Sequence, residues 1–169
     1  MELLELDKQK DTKSLAVAKK LSTFGVTLID TGCTENPPLH NRTLTFPLAT
    51  SDDIECLERC VQQSDSIRRQ YEKILQFNLN KTPLKPAFAL LKIFTEEALS
   101  EYNYSGHCNY TRDKKKAMRN YCIFTTCIDA AWSNTLSTEL RTRAIRDVVA
   151  LIGNRKRMRR LKERKAAPQ

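Results

Sequence analysis

From Ile54 onward the apolar residues fall into stripes. Ile54, Leu57, Val61, Ile67, Tyr71, Ile74 and Leu75 recur mostly at three- and four-residue steps, the spacing that lines one face of a helix. Thr50-Ser51-Asp52-Asp53 precedes them and offers side-chain caps and early negative charge to the free amides of a helix start. Ser64-Asp65-Ser66 interrupts the stripe and predicts a kink or a break, and the segment should end near Asn78. Pro83 and Pro86 bracket a turn, after which Phe88, Leu90, Leu91, Ile93 and Phe94 are crowded as in a buried helix. Thr95 with Glu96 and Glu97 predicts a fresh cap and a short helix over 95–102, and 103–113, containing Gly106, reads as loop. From Lys114, the positions Met118, Tyr121, Cys122, Thr125, Ile128 and Trp132 predict another amphipathic helix. Leu140, Ala144, Ile145, Val148, Val149 and Ile152 predict a last one after a break at 133–138. Met158 and Leu161 would prolong that stripe, whereas Gly153-Asn154 would end it; the pattern permits both.

The first part of the chain is patterned differently. Residues 1–24 mix charges with Leu3, Leu4, Leu6, Leu15, Val17 and Leu21, which predicts a helix stopping at Gly25. Val26 to Ile29 is a short apolar run of strand character, and 31–41, with Gly32, Pro37 and Pro38, has linker composition. The expected organisation is an N-terminal arm and linker (1–44), a helical domain (45–153) and a basic tail (154–169). With no internal repeat and no convincing sheet, the fold class is all-α, a compact helical bundle of about five helices with a basic C-terminal helical tail. Its expected core includes Leu57, Phe88, Leu91, Phe94, Leu99, Ile128, Trp132, Ile145 and Val148.

Charge changes this picture at one end. The chain has 29 Lys and Arg against 20 Asp and Glu, a net +9. Residues 155–165 alone contribute +7 of that, which leaves the body nearly neutral. Arg155, Lys156, Arg157, Arg159, Arg160, Lys162, Arg164 and Lys165 are therefore the first candidates for phosphate contacts. Lys114, Lys115 and Lys116 form a second group near Tyr102, Tyr104, Tyr110 and Arg112, where rings can stack on bases and lysines hold phosphates. Equally, the tyrosines pack inside and the lysines form a solvated first turn. At a helix N-terminus three lysines would oppose the macrodipole, a mild cost that a bound anion relieves.

Other chemistry is thinly represented. MELLELDKQK carries too much acidic charge for a secretory signal, and no stretch is apolar enough to span a bilayer, so no membrane partner is expected. The six cysteines then read as thiols in a reducing compartment. Cys56 and Cys60 share a helical face, and Cys108, His107, Cys122 and Cys127 would complete a metal shell. The absence of a Cys-x-x-Cys pair argues against zinc, and no cofactor is expected. His107 beside Cys108 is better explained as a solvated loop pair than as a nucleophilic site. Asp52/Asp53 and Glu96/Glu97 are accounted for by helix starts, and four glycines supply no phosphate loop, so no enzyme is expected.

Phe46-Pro47-Leu48, the run from Leu90 to Glu97 (LLKIFTEE), Tyr102-Asn103-Tyr104-Ser105-Gly106 and Lys114-Lys115-Lys116-Ala117, in that order, resemble the domain-of-unknown-function family numbered 4806 over about residues 45–165. That family's pattern runs from an initial proline through a basic-apolar helix and a Tyr-Ser-Trp-Gly-like turn to a closing basic helix. Tyr104 stands where the family pattern has Trp. The resemblance implies no activity; its members occur beside transposon-like or nuclear-factor-like neighbours. The run from Phe94 to Leu99 followed by Gly106 is also similar to the central stretch of BEN domains, which implies DNA binding. The expected function is that of a non-enzymatic, nucleic-acid-associated protein of the nucleus, whose tail supplies backbone affinity and is read by a nuclear import receptor. The alternative is an adaptor that binds a protein partner or itself and uses the tail only as an address.

Overall fold

Thr50 opens the first helix with the cap that its neighbours predict. In the computed structural model, which describes residues 25–27, 43–107 and 114–166, the Thr50 hydroxyl accepts from the Asp53 amide at 3.1 Å. The Asp53 carboxylate accepts from the Thr50 amide at 3.0 Å, which completes a capping box. Helix α1 (Ser51–Gln63) ends at Ser64, whose amide donates to the Cys60 carbonyl at 2.9 Å. The hydroxyl of the same residue accepts from the Ile67 amide and starts α2 (Asp65–Lys81). The break expected at 64–66 is thus one serine capping two helices. Helix α2 runs to Lys81 rather than stopping near Asn78: the Asn78 amide group donates to the Ile74 carbonyl, and the Thr82 hydroxyl donates to the Asn78 carbonyl at 3.0 Å, so polar side chains serve the last turn.

The crowded segment after Pro86 is a shorter helix than the pattern implies. Only α3 (Pro86–Leu90) is helical, because the chain then turns out to bond elsewhere. Leu48 donates its amide to the Ile93 carbonyl at 2.8 Å and accepts from the Thr95 amide at 2.9 Å, a parallel bridge beside Phe94. Leu90, Ile93 and Phe94 are buried, whereas Phe88 and Leu91, both expected in the core, are half-buried. Thr95 caps as expected, accepting from the Ala98 amide at 3.1 Å, but a 3-10 turn (Ala98–Glu101) stands in place of a full helix.

The largest departure lies after the loop. Strand β3 (Tyr102–Asn103) pairs in parallel with β4 (Lys116–Ala117), and two 3-10 turns (Met118–Asn120 and Cys122–Phe124) precede α4 (Thr126–Trp132). No helix begins at Lys114. Of the predicted stripe Met118, Ile128 and Trp132 are buried, but Tyr121, Cys122 and Thr125 are only half-buried; the 3-10 turns bury Ile123 and Phe124 instead, and α4 buries Cys127. Lys114, Lys115 and Lys116 therefore oppose no helix dipole, and that argument for a bound anion falls. At Gly106, φ is +82°, and a Cβ would lie 3.1 Å from the Ala117 Cβ, so any other residue is strained there.

Helix α5 (Thr138–Ala166) is continuous through Gly153-Asn154, which resolves the open choice in favour of continuation. Ala144, Ile145, Val148 and Ile152 are buried, and every residue from 153 to 166 is exposed. Helix α2 packs on α1, α3 and α4, and α5 packs on α3 and α4, around Trp132, Tyr71, Phe94 and Phe124. These belong to a unit spanning Pro47–Gln169. The other unit, Met1–Phe46, contributes β1 (Gly25–Thr27) antiparallel to β2 (Thr43–Thr45), so Val26 lies in the expected strand and gains a partner strand the pattern did not suggest. The helix expected over 1–24 and the linker over 31–41 lie outside the described residues. The fold is all-α in class, with five helices among the described residues and little strand.

Gly153 offers a direct check on the long helix. No atom lies within 4 Å of where its Cβ would stand. Gly153→Ala is therefore expected to raise stability by about 0.5–1 kcal/mol and to increase helical circular dichroism, the usual gain for an exposed helix interior. An unchanged or lower melting temperature would show that the helix ends at Gly153.

Candidate nucleic-acid interface on the last helix

Eight cations stand on the exposed part of α5, and the fold divides them. Arg155 and Arg159, one turn apart, both reach back to Glu96, each pairing with one oxygen of the carboxylate. Glu96 is only 16% exposed, and the hydrogen bond from Arg155 is the chief reason that its carboxyl is held below its ordinary value. The pairing is complete at neutral pH and is lost as pH falls through that lowered value. The Arg155 guanidinium also lies 5.9 Å from the Phe88 ring centroid. Glu96 was expected to serve a helix start; instead it ties the root of the basic segment to the body.

Arg157, Arg160 and Arg164 fall on the opposite side of the same helix by its 3.6-residue period, with Lys156 at the edge of that side, next to the open face left by Gly153. Among the described residues no carboxylate pairs with these four or with Lys162 and Lys165. They project unneutralised charge along about 12 Å of helix from Lys156 to Arg164. On the upper part of α5, the Arg146 guanidinium stacks 4.6 Å from the Tyr104 ring centroid.

The second predicted group does not join the first. Lys116 lies over α1, donating to Glu55 Oε1 at 2.9 Å and to the Ser51 hydroxyl at 2.9 Å. The same Glu55 oxygen accepts from the hydroxyls of Tyr102 at 3.0 Å and Tyr121 at 2.8 Å. Burial raises the Glu55 carboxyl, but the bonds from Lys116, Tyr121 and Tyr102 outweigh it and leave the carboxyl lowered. Burial, opposed by the Ser51 bond and reinforced by Glu55, pushes the Tyr102 phenol up to about 12. Lys116 is thereby spent on holding β4 to α1, while Lys114 is exposed and Lys115 half-exposed. Tyr102 is in the core and Tyr104 is half-buried, so neither ring stands open for stacking.

A second carboxylate is buried outright. Glu58 accepts from the amides of Cys122 at 2.9 Å and Ile123 at 3.0 Å, capping the 3-10 turn, and from the Gln62 side chain. Cys56, Cys60 and Cys127 are buried, and burial raises the Cys127 thiol to about 12. Among the described residues no group of three or more His, Cys, Asp or Glu is placed to hold a metal, and no helix is long and apolar enough to cross a membrane.

A family model described as a domain of unknown function (DUF4806) matches residues 40–131. The chain belongs to that family. No curated protein and no solved structure matches the chain. The DUF4806 match takes in α1 to α3, α4 up to the residue before Trp132, and the Glu55, Glu58 and Glu96 carboxylates, whereas α5 with its eight cations lies beyond it. Glu55, Glu58 and Glu96 were not singled out by sequence as partners for distant groups. Each bonds to residues about sixty positions away, a relation no local spacing announces.

Proposed function

We propose that this protein acts without catalysis as a nuclear, nucleic-acid-associated factor whose α5 holds phosphate backbones. The observation that carries the reading is the division of charge on α5: Arg155 and Arg159 anchor the helix to Glu96, and six further cations stand clear of any carboxylate among the described residues. A rigid helix presents these cations together, so fewer conformations are lost on binding than with an unstructured tail. The reading assigns backbone contacts to Lys156, Arg157, Arg160, Lys162, Arg164 and Lys165, with Lys114 and Lys115 as a separate minor group. The affinity is electrostatic, with little preference for sequence.

The expected result is a strong dependence on salt. Each neutralised phosphate contributes about −0.9 to the slope of log affinity against log salt, so six cations set a ceiling of about −5. Alanine at Lys156, Arg157, Arg160 and Arg164 together should flatten the slope by about 3.6, since each removed cation takes about 0.9 with it. Binding of the full chain to duplex DNA and to RNA across a salt series checks this, with cellular location scored in parallel. If truncation after Asn154 changes neither binding nor location, the reading fails.

A further inference from the structure

Beside the cations, α5 carries a seam whose apolar members are unevenly covered: Leu140 and Met158 are exposed, Leu151 is half-exposed and Ala144 is buried. Leu140, Ala144, Asp147, Leu151, Asn154 and Met158 follow one another at alternating four- and three-residue steps, the register in which one helix presents a seam to another. All six line two hollows, of about 540 and 320 Å³, that meet at Leu151 and Asn154 and together form one groove along the helix. The opposite wall of the larger hollow is the turn leading into α3, with Leu84 and Phe88. Leu84 is 93% exposed, Leu140 47% and Met158 51%, an unusual loss of apolar contact for three side chains around one groove. From Leu140 to Met158 the seam is about 27 Å long, room for a partner helix of about five turns.

The rim selects the charge of that partner. Lys85 on one wall and Lys162 at the far end have no carboxylate partner among the described residues. Arg155 and Arg159 share the single charge of Glu96, and the one acid in the groove, Asp147, is answered by Arg143 at 3.6 Å. The groove is thus apolar at Leu84, Phe88, Leu140, Leu151 and Met158, polar at Asp147 and Asn154, and positive along its edges. We infer that it binds an acidic amphipathic helix of a partner protein, whose apolar face fills the seam while its carboxylates meet Lys85, Lys162 and the Arg155–Arg159 pair. A second copy of this chain is disfavoured as occupant, because its own α5 would bring a like-charged row of arginines and lysines against the rim. A nucleic acid would leave the apolar positions unused.

The test uses the full chain and three labelled 18-residue synthetic peptides, read by fluorescence anisotropy. One has leucines at three- and four-residue steps flanked by glutamates; the second replaces the glutamates by lysines; the third keeps the glutamates and scrambles the leucines. The first should bind about tenfold or more tighter than either of the others. Leu84→Glu and Leu140→Glu alter exposed positions and should each weaken it about tenfold, because a carboxylate then sits unpaired in the seam and repels the partner. Both variants should retain wild-type binding to duplex DNA, and the alanine variant of Lys156, Arg157, Arg160 and Arg164 should show the converse, so failure of this site is distinguishable from failure of the phosphate-binding reading. Equal binding of the scrambled peptide would overturn the inference, as would wild-type affinity in Leu84→Glu and Leu140→Glu. A dimer in sedimentation that Leu140→Glu abolishes would assign the groove to a second copy instead.

Discussion

Trp132→Ala is expected to lower the unfolding free energy by about 3–5 kcal/mol, a large share of the about 5–15 kcal/mol that holds an ordinary domain folded. The indole is fully buried at the end of α4, and its Nε1 donates to the Leu75 carbonyl in the middle of α2 at 3.1 Å. Truncation empties the space between these two helices and takes from that carbonyl the donor it has beyond its own helix. Trp132→Phe retains most of the packing and loses the bond, so its cost should be smaller, about 1–3 kcal/mol. Urea denaturation of the two variants separates packing from hydrogen bonding. Equal midpoints for wild type and Trp132→Ala would remove this residue from the core.

The second large effect is expected at Glu58. Glu58→Ala removes the acceptor of the Cys122 and Ile123 amides, and the Ile123 amide is buried where water cannot replace the lost bond. An orphaned buried donor costs about 1–3 kcal/mol, so with the half-buried second amide the loss should be about 2–4 kcal/mol. The damage should spread to the rings held by that turn, since Phe124 packs 5.1 Å from Phe94 between ring centroids. Near-ultraviolet circular dichroism reports those rings, and its signal should fall with the urea midpoint. Glu58→Gln keeps one acceptor oxygen but turns an amide group toward a donor, and should lie between the two. A variant lacking the carboxylate with an unchanged midpoint would mean that the turn needs no cap.

These two residues also mark how far the sequence could be read. Trp132 was legible because its burial follows from helical spacing, which depends only on neighbours in the chain. The same is true of Thr50 and Ser64, whose capping chemistry acts over three residues. Glu58 was not legible as a cap: its steps of four from Ile54 and three to Val61 put it on the apolar face, but only the fold brings the amides of 122 and 123 to it. Lys116 illustrates the reverse error, a residue assigned to a ligand that the fold spends on Glu55, Ser51 and the Tyr102 ring. The mistaken helix after Lys114 has one cause, that periods of 3.0 and 3.6 residues cannot be told apart over so short a stretch. On α5 the cations were visible from composition, but their division into tethered and free ones depended on Glu96, some sixty residues earlier.

The family segment ends at residue 131, yet Ala144, Ile145, Val148 and Ile152 beyond it are buried parts of the same core. A chain growing on the ribosome completes the family segment first and must wait for about twenty more residues before α5 can close over α3 and α4. At about 5–20 residues per second that is an interval of about 1–4 s in which apolar surface on both helices has no cover. The basic stretch is synthesised later still, so its charge emerges only after the helix that roots it is available to fold.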